Sequence, residues 1–326
     1  MKKLIITVFI LLSAVMTAEG KTIKVLIIDN MFQYIPQKDE TMSKMGSLTG
    51  DLLVNGNHYT GNIEVWKGRA GLCLINEVPV EEYVKSVVGA EVGKDWAIEA
   101  LKAQAVISRT YALYQKINPN KRSNYDLTSS VLHQVYKGGA VDRKVSDAVK
   151  NTKGEVLVYD GKIIEAFYHS TCGGKTEKPE EVFSHSYPYL KSVESSCKLS
   201  PYRLWKRRIS LSEIEKALNI SGIEEIKIGS LTSTKRVKTL DITLAGGSRS
   251  VRATEMRRLL GWKRLPSTNF NLTHDNDSII FQGKGYGHGV GLCQWSALEM
   301  ARKGKSYKDI LAFFYPGATI QIYENR

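Results

Sequence analysis

The sequence predicts an α+β fold, and three observations point there. Residues 21–75 alternate short apolar, β-branched runs with turns. From Pro79 the apolar spacing changes to that of a helix, and a helical pattern holds to about Lys116. Beyond that point short strand and helix signals mix along the rest of the chain.

Taken in order, 22–28 reads as a strand, Asn55-Gly56-Asn57 as a turn and 61–66 as another strand. Pro79 suits the first helical position, where its missing N–H needs no partner. Glu81 and Glu82 then lie in the first turn, where the helix dipole favours negative charge. Gly93 ends this helix. Asp95 can cap a second one from Trp96 to about Lys116, rich in Ala, Leu and Lys. A polar connection covers 118–124. Strand runs at 154–159 and 163–168 follow among polar loops. Residues 209–262 look like a small inserted unit. In it Ser210 or Ser212 caps a helix through Asn219, 238–244 is a strand, Gly246-Gly247 a turn and 253–260 a short helix. The last segment reads as a strand at 278–282, a glycine-rich loop at 283–291, a helix to about Lys303, and a closing helix and strand.

The N-terminus carries a secretory pattern. Lys2 and Lys3 precede an apolar stretch, 4–18, broken only by Thr7, Ser13 and Thr17, and Ala18 and Gly20 supply small residues for cleavage. The run is short for a membrane helix, which wants about 20 apolar residues; an uncleaved anchor is the alternative. The expected organisation is a signal peptide at 1–20, a β-rich segment at 21–75, and a main domain at 76–326 containing the 209–262 insertion. The expected location is extracytoplasmic, in the periplasm or cell wall, with membrane contact only if the signal stays attached.

A net charge of +13 ordinarily raises nucleic acid as a partner. Export argues against it and favours extracytoplasmic polyanions such as wall glycan, teichoic acid or anionic lipid. Four cysteines, Cys73, Cys172, Cys197 and Cys293, allow three disulfide connectivities. Cys73 lies in an apolar run and Cys293 beside Leu292, so both read as buried free thiols. Cys172 and Cys197 lie in polar, loop-like surroundings and are the candidate pair.

Four features could carry chemistry. Val80, Val84, Val87 and Val88 define one apolar face of the first helix, and Glu91 falls eleven residues after Val80, on that same face. A carboxylate there is either paired with a cation or has its pKa raised by desolvation; alternatively, Glu91 is the helix's last exposed turn. On the second helix Lys102 and Arg109 share one face, while Gln104, Ser108 and Tyr111 share a nearly opposite one. Arg109 would suit a substrate carboxylate, or else its face is solvated. In His169-Ser170-Thr171-Cys172-Gly173-Gly174, small hydroxylated residues and paired glycines let backbone approach a ligand. A serine nucleophile at Ser170 lacks a local base, and His169 with Cys172 and Cys197 matches no zinc spacing. Lastly, glycines alternate from Gly283 to Gly291 without the strand–helix context of a dinucleotide loop. From that stretch Tyr286, His288, Gln294 and Trp295 offer polar and aromatic groups suited to sugar.

The runs Val78-Pro79-Val80-Glu81-Glu82-Tyr83-Val84, Val87-Val88-Gly89-Ala90-Glu91-Val92 and Glu99-Ala100-Leu101-Lys102-Ala103-Gln104-Ala105-Val106 resemble the stage II sporulation protein D (SpoIID/LytB) family. So do Arg109-Thr110-Tyr111-Ala112, the His169–Gly174 loop, Tyr187-Pro188-Tyr189-Leu190-Lys191-Ser192-Val193, and the ending from Gly285 through Tyr315-Pro316-Gly317. The resemblance covers most of residues 75–320. It implies a peptidoglycan lytic transglycosylase with Glu91 in the place of the catalytic acid and Lys102, Gln104, Tyr286 and His288 in or near a glycan-binding groove. Arg109, Ser170 and Gln294 complete the expected substrate-binding set. Many relatives have Ser where this chain has Cys172, which supports the Cys172–Cys197 disulfide. No cofactor and no metal are expected. Partners would be glycan strands, expected to be stripped of peptide, and a cell-wall amidase. The alternatives are a muramidase-type hydrolase and a non-catalytic glycan-binding enhancer of an amidase.

Overall fold

The computed structural model describes residues 22–28, 35–36, 40–54, 56–93, 95–118, 124–130, 133–139 and 141–323. The expected signal segment, Asn55 of the expected turn and most of the 118–124 connection lie outside them. The fold is α+β, and the described residues form two compact units, one of those up to 166 together with 319–323 and the other of 167–318.

In the first unit a five-stranded sheet comes from β1 (Thr22–Ile27), β2 (Ser43–Thr49), β5 (Asn62–Lys67), β6 (Leu72–Pro79) and β7 (Leu127–Thr128), in the order β2-β5-β6-β1-β7. A hairpin of β3 (Leu52–Val54) and β4 (Asn57–Tyr59) stands beside it in sequence. β6 runs straight into α1 (Val80–Glu91), and α2 (Ile98–Ile117) follows. Pro79 is the residue before the first helical turn, one position earlier than expected. The second helix opens at Ala97 without a side-chain cap, so Asp95 does not cap it.

α1 buries Val80, Val84, Val87 and Val88, as their spacing requires, against the sheet and α2. Ile23, Ile75, Val84 and Leu101 are all fully buried in this one unit. The β-rich 21–75 segment therefore shares its unit with the helix pair, and the boundary falls at 166/167 instead of 75/76.

α3 (Arg143–Lys150) occupies a stretch read as strands and loops. Asp142 caps it through the Lys144 amide (2.9 Å), and Val145, Ala148 and Val149 face inward. β8 (Glu155–Tyr159) pairs with β9 (Lys162–Ile163) and with the terminal strand Thr319–Ile322.

The second unit begins with β10 (Tyr168–His169) and α4 (Pro179–Phe183). The expected 163–168 strand is thus split between the end of β9 and the start of β10. β11 (Trp205–Ser210), α5 (Leu211–Leu218), β12 (Ile223–Leu231), β13 (Val237–Leu244), β14 (Gly247–Arg252) and α6 (Ala253–Leu260) follow. Ser210 caps α5 by accepting the Glu213 amide (3.2 Å). Then come β15 (Phe270–Asp275), β16 (Ser278–Gly283), β17 (Leu292–Cys293), α7 (Gln294–Arg302) and α8 (Tyr307–Phe314). Two three-stranded antiparallel sheets, β11-β16-β15 and β12-β13-β14, share one apolar cluster running from Trp205 to Phe281. That core is wider than the 209–262 insertion because β15 and β16 are needed to close it. Among the described residues no helix is long and apolar enough to cross a membrane.

Candidate functional site

Glu91 is the last residue of α1 and is half-buried. Its Oε1 accepts the backbone N–H of Val135 at 2.9 Å. The segment around Val135 is tied along α1 at two further points. Tyr83 donates its hydroxyl to Gln134 Oε1 (2.9 Å), and Ser86 donates to the Gly138 carbonyl (3.1 Å) while accepting the Lys137 amide (3.3 Å). Tyr136 adds a bond to Asn76 (2.6 Å) on β6. The carboxylate is therefore held at one end of a three-point seam between a helix and a loop, and a rigid seam fixes its direction. Nearby, the His133 imidazole is pushed below its ordinary pKa by burial, and its Nδ1 accepts the Thr128 amide (3.2 Å). Neither Val135 nor His133 was singled out from sequence, since a backbone amide on a polar loop leaves no sequence signal.

The α2 residues divide differently from their expected faces. Lys102 pairs with Glu99 one turn away (2.7 Å), and the two side chains are 20% and 26% exposed. Gln104 is buried and donates to Ser108 Oγ at 3.0 Å. Arg109 is 1% exposed, with its guanidinium fork on Glu81 (Nε 2.9 Å, Nη2 2.7 Å) and Nη1 on the Glu155 carbonyl (3.0 Å). It ties α2 to α1 and β8, which corrects both readings of it, the substrate grip and the solvated face. Glu81 lies in the first turn of α1, where the dipole favours it, but its main partner is this arginine.

In the second unit the alternating glycines have a clear job. Thr171 and Tyr286 form a two-way backbone bridge (3.0 and 2.9 Å), and β10 lies parallel to β17. Gly285, with φ +87°, sits where a Cβ would meet the Thr171 carbonyl at 2.7 Å, and at Gly291 (φ +71°) a Cβ would overlap the Phe167 carbonyl. Gly285, Gly287 and Gly291 thus let the chain approach the 167–173 segment, while Gly283 lies against Trp205 and Asn269 and Gly289 against Arg236 and Glu177. Gly291→Ala is expected to cost about 2 kcal/mol or more, from left-handed strain plus that overlap. Thermal unfolding of the purified variant reads it.

His288 belongs to the same junction. Its Nε2–H donates to the Tyr168 carbonyl (2.8 Å) and its Nδ1 accepts the Val290 amide (3.1 Å). Burial, with Arg257 beside it, lowers its pKa from 6.5 to about 4. His169, with ring centroid 5.6 Å away, donates Nδ1–H to the Val290 carbonyl (3.0 Å) and is also pushed well below its ordinary value by burial. Both rings are neutral in the fold, and protonation favours the unfolded chain, where the ordinary value applies. The contribution of His288 is fully present above about pH 6.5 and is lost as pH falls towards about 4, and that of His169 is lost in the same direction. Unfolding midpoints measured across that window should fall for the parent and fall less for His288→Gln.

Tyr286 is half-buried with its ring 4.5 Å from that of Tyr202. Ser170 Oγ meets Thr171 Oγ1 at 3.2 Å, and Gln294 is buried at the first position of α7. Cys172 and Cys197 are free thiols whose sulfurs lie 3.7 Å apart, so the expected disulfide is not formed. Cys293, a buried free thiol as expected, joins them.

The sequence profile described as "Stage II sporulation protein" matches residues 68–159, which include Glu91, Lys102, Gln104 and Arg109. A profile described as a domain of unknown function matches 189–291, which include Tyr286 and His288. Stage II sporulation protein D of Bacillus amyloliquefaciens is 33% identical over 264 residues, 76% of this chain and 75% of that protein. An uncharacterized protein of Brachyspira hyodysenteriae is 35% identical over 83% of this chain and 74% of its own length. The amidase enhancer of Bacillus subtilis is 30% identical over 74% of this chain, which spans 40% of that relative.

Proposed function

Because the chain belongs to the stage II sporulation protein D family, we propose that it is a lytic transglycosylase. It would cleave the β-1,4 bond between N-acetylmuramic acid and N-acetylglucosamine in peptidoglycan strands, preferably ones stripped of peptide. The family and the amidase enhancer relative support a role at the cell wall. The substrate carries with it an extracytoplasmic location.

The observation that carries the reading is the fixed, half-buried carboxylate of Glu91 at the α1–loop seam. Acid catalysis needs a carboxyl aimed by its surroundings, and the Val135 amide aims this one. In the neutral form Glu91 gives its proton to the glycosidic oxygen as the muramoyl C1–O bond breaks. The resulting carboxylate then takes the proton of the muramoyl C6 hydroxyl as that oxygen bonds to C1. The products are a free N-acetylglucosamine 4-hydroxyl and a 1,6-anhydro ring, and no water is consumed. A hydrolase would need a second carboxylate to handle water. Glu99 is engaged by Lys102, and Asp95 is exposed.

A second reading, a glycan-binding enhancer of an amidase, is favoured by the enhancer relative. Mass spectrometry of glycan digested by the purified protein separates the possibilities. Ends lighter by one water than reducing ends are expected. Reducing ends would mean a hydrolase, and no cleavage of intact or denuded glycan would mean the enhancer.

A further inference from the structure

Three of the four cysteines meet in the second unit although they lie far apart in sequence. Cys172 follows β10, Cys197 lies on the irregular stretch before β11, and Cys293 ends β17. All three are buried, and their sulfurs lie within 4.8 Å of one another. A disulfide needs sulfurs at about 2.05 Å, whereas Cys172 and Cys197 stand at 3.7 Å. A tetrahedral zinc with Zn–S bonds of about 2.3 Å puts neighbouring sulfurs about 3.8 Å apart. The Cys172–Cys197 separation is therefore an edge of that tetrahedron, with Cys293 near a third corner.

The surroundings suit thiolates. The Cys172 amide points at Cys293 Sγ (3.2 Å) and the Gly174 amide at Cys172 Sγ (3.4 Å), the kind of outer support that orients metal-bound sulfur. Arg236, fully buried, lies within electrostatic reach of all three sulfurs and donates to the Cys172 carbonyl (2.6 Å). Glu177, 3.8 Å from its Nε, offsets part of that charge. A divalent cation on three thiolates carries a net charge of minus one, which a neighbouring guanidinium stabilises.

We propose that Cys172, Cys197 and Cys293 form a trithiolate site for a thiophilic divalent cation of zinc's class. The fourth position falls to the Ser296 hydroxyl, 3.8 Å from Cys172 Sγ, or to water from the cavity of about 630 Å³ whose wall includes Cys197. The ion joins the loop after β10 and the 194–200 stretch, which have little regular structure to hold them, to the junction of β17 and α7. It sits in a structural role and is independent of whether Glu91 cleaves glycan.

The test is cobalt(II) titration of the reduced full-length chain, followed by zinc. The expected result is one equivalent bound with sulfur-to-cobalt charge-transfer and tetrahedral ligand-field bands, displaced by zinc. Cys73→Ser, in the other unit, should leave the spectrum intact, and Cys293→Ser should abolish the charge-transfer bands or weaken binding at least tenfold. Where Cys293→Ser fails to fold, zinc content and peptide mapping of the parent decide. Zinc at one per chain with three alkylatable thiols in these peptides supports the site. Octahedral cobalt without charge transfer, no zinc, or a Cys172–Cys197 disulfide in the isolated protein overturns it.

Discussion

Glu91→Gln is expected to lower glycan cleavage by about 10²–10⁴-fold, the range for removing a positioned general acid. Glutamine keeps an oxygen that can accept the Val135 amide, so the seam along α1 should survive and the unfolding midpoint should barely move. The loss would then appear in kcat, since an amide of the same shape fills the same space in the ground state but has no proton to give. Glu91→Ala removes the acceptor as well and leaves the half-buried Val135 amide without this partner, so it should lose activity and some stability together. A Glu91→Gln protein with parental kcat would remove Glu91 from the chemistry whatever the fold.

The second large effect is on stability. Arg109→Ala should cost about 3 kcal/mol, because it strands Glu81 beside a buried space made for a guanidinium. The loss lies at the low end of the range for broken buried pairs because the Glu81 side chain is 26% exposed. It also takes away a donor to the Glu155 carbonyl, so β8 loses an anchor to α2. Arg109→Lys should recover only part of the loss, since an ammonium cannot make the two-pronged contact to Glu81 and reach β8 as well. Arg109→Met with Glu81→Leu should be milder than Arg109→Ala alone, because no charge is left unpaired. Chemical denaturation of each variant measures the series. A substrate-gripping arginine would give the opposite pattern, with unchanged stability and a raised KM.

Arg109 also shows where sequence periodicity stops informing. Lys102 and Arg109 are two helical turns apart and do share an azimuth. Every residue from Ala103 to Leu113 is buried, however, because α1, α3 and β8 pack around that part of α2. A helix buried all round has no polar face to read, and an arginine inside it is identified only by its partner. The α1 face was legible because α1 keeps an exposed side at Glu82 and Gly89, and Val80, Val84, Val87 and Val88 trace the buried one. The position of Glu91 at its end was legible too, but the amide that aims it was not, because Val135 lies 44 residues away on an irregular loop.

The second unit shows the same division. Alternating glycines announced a close backbone approach, and one exists. What is approached, the 167–173 segment, could not be read, because the β10–β17 pairing joins residues more than 120 positions apart. The same pairing brings Cys293 to Cys172, so a trio of thiols read locally as one pair and one buried free thiol. The helix at Arg143–Lys150, by contrast, had its signal in plain view, with Asp142 as cap and Val145, Ala148 and Val149 at helical spacing.

In the proposed reaction one carboxylate serves as acid and then as base, and no water takes part. Digestion of denuded glycan in heavy-oxygen water, with products analysed by mass spectrometry, tests it most directly. The expected products are 1,6-anhydro ends carrying no heavy oxygen. One heavy oxygen per new muramoyl end would contradict it, because water and not the C6 hydroxyl would then have attacked C1.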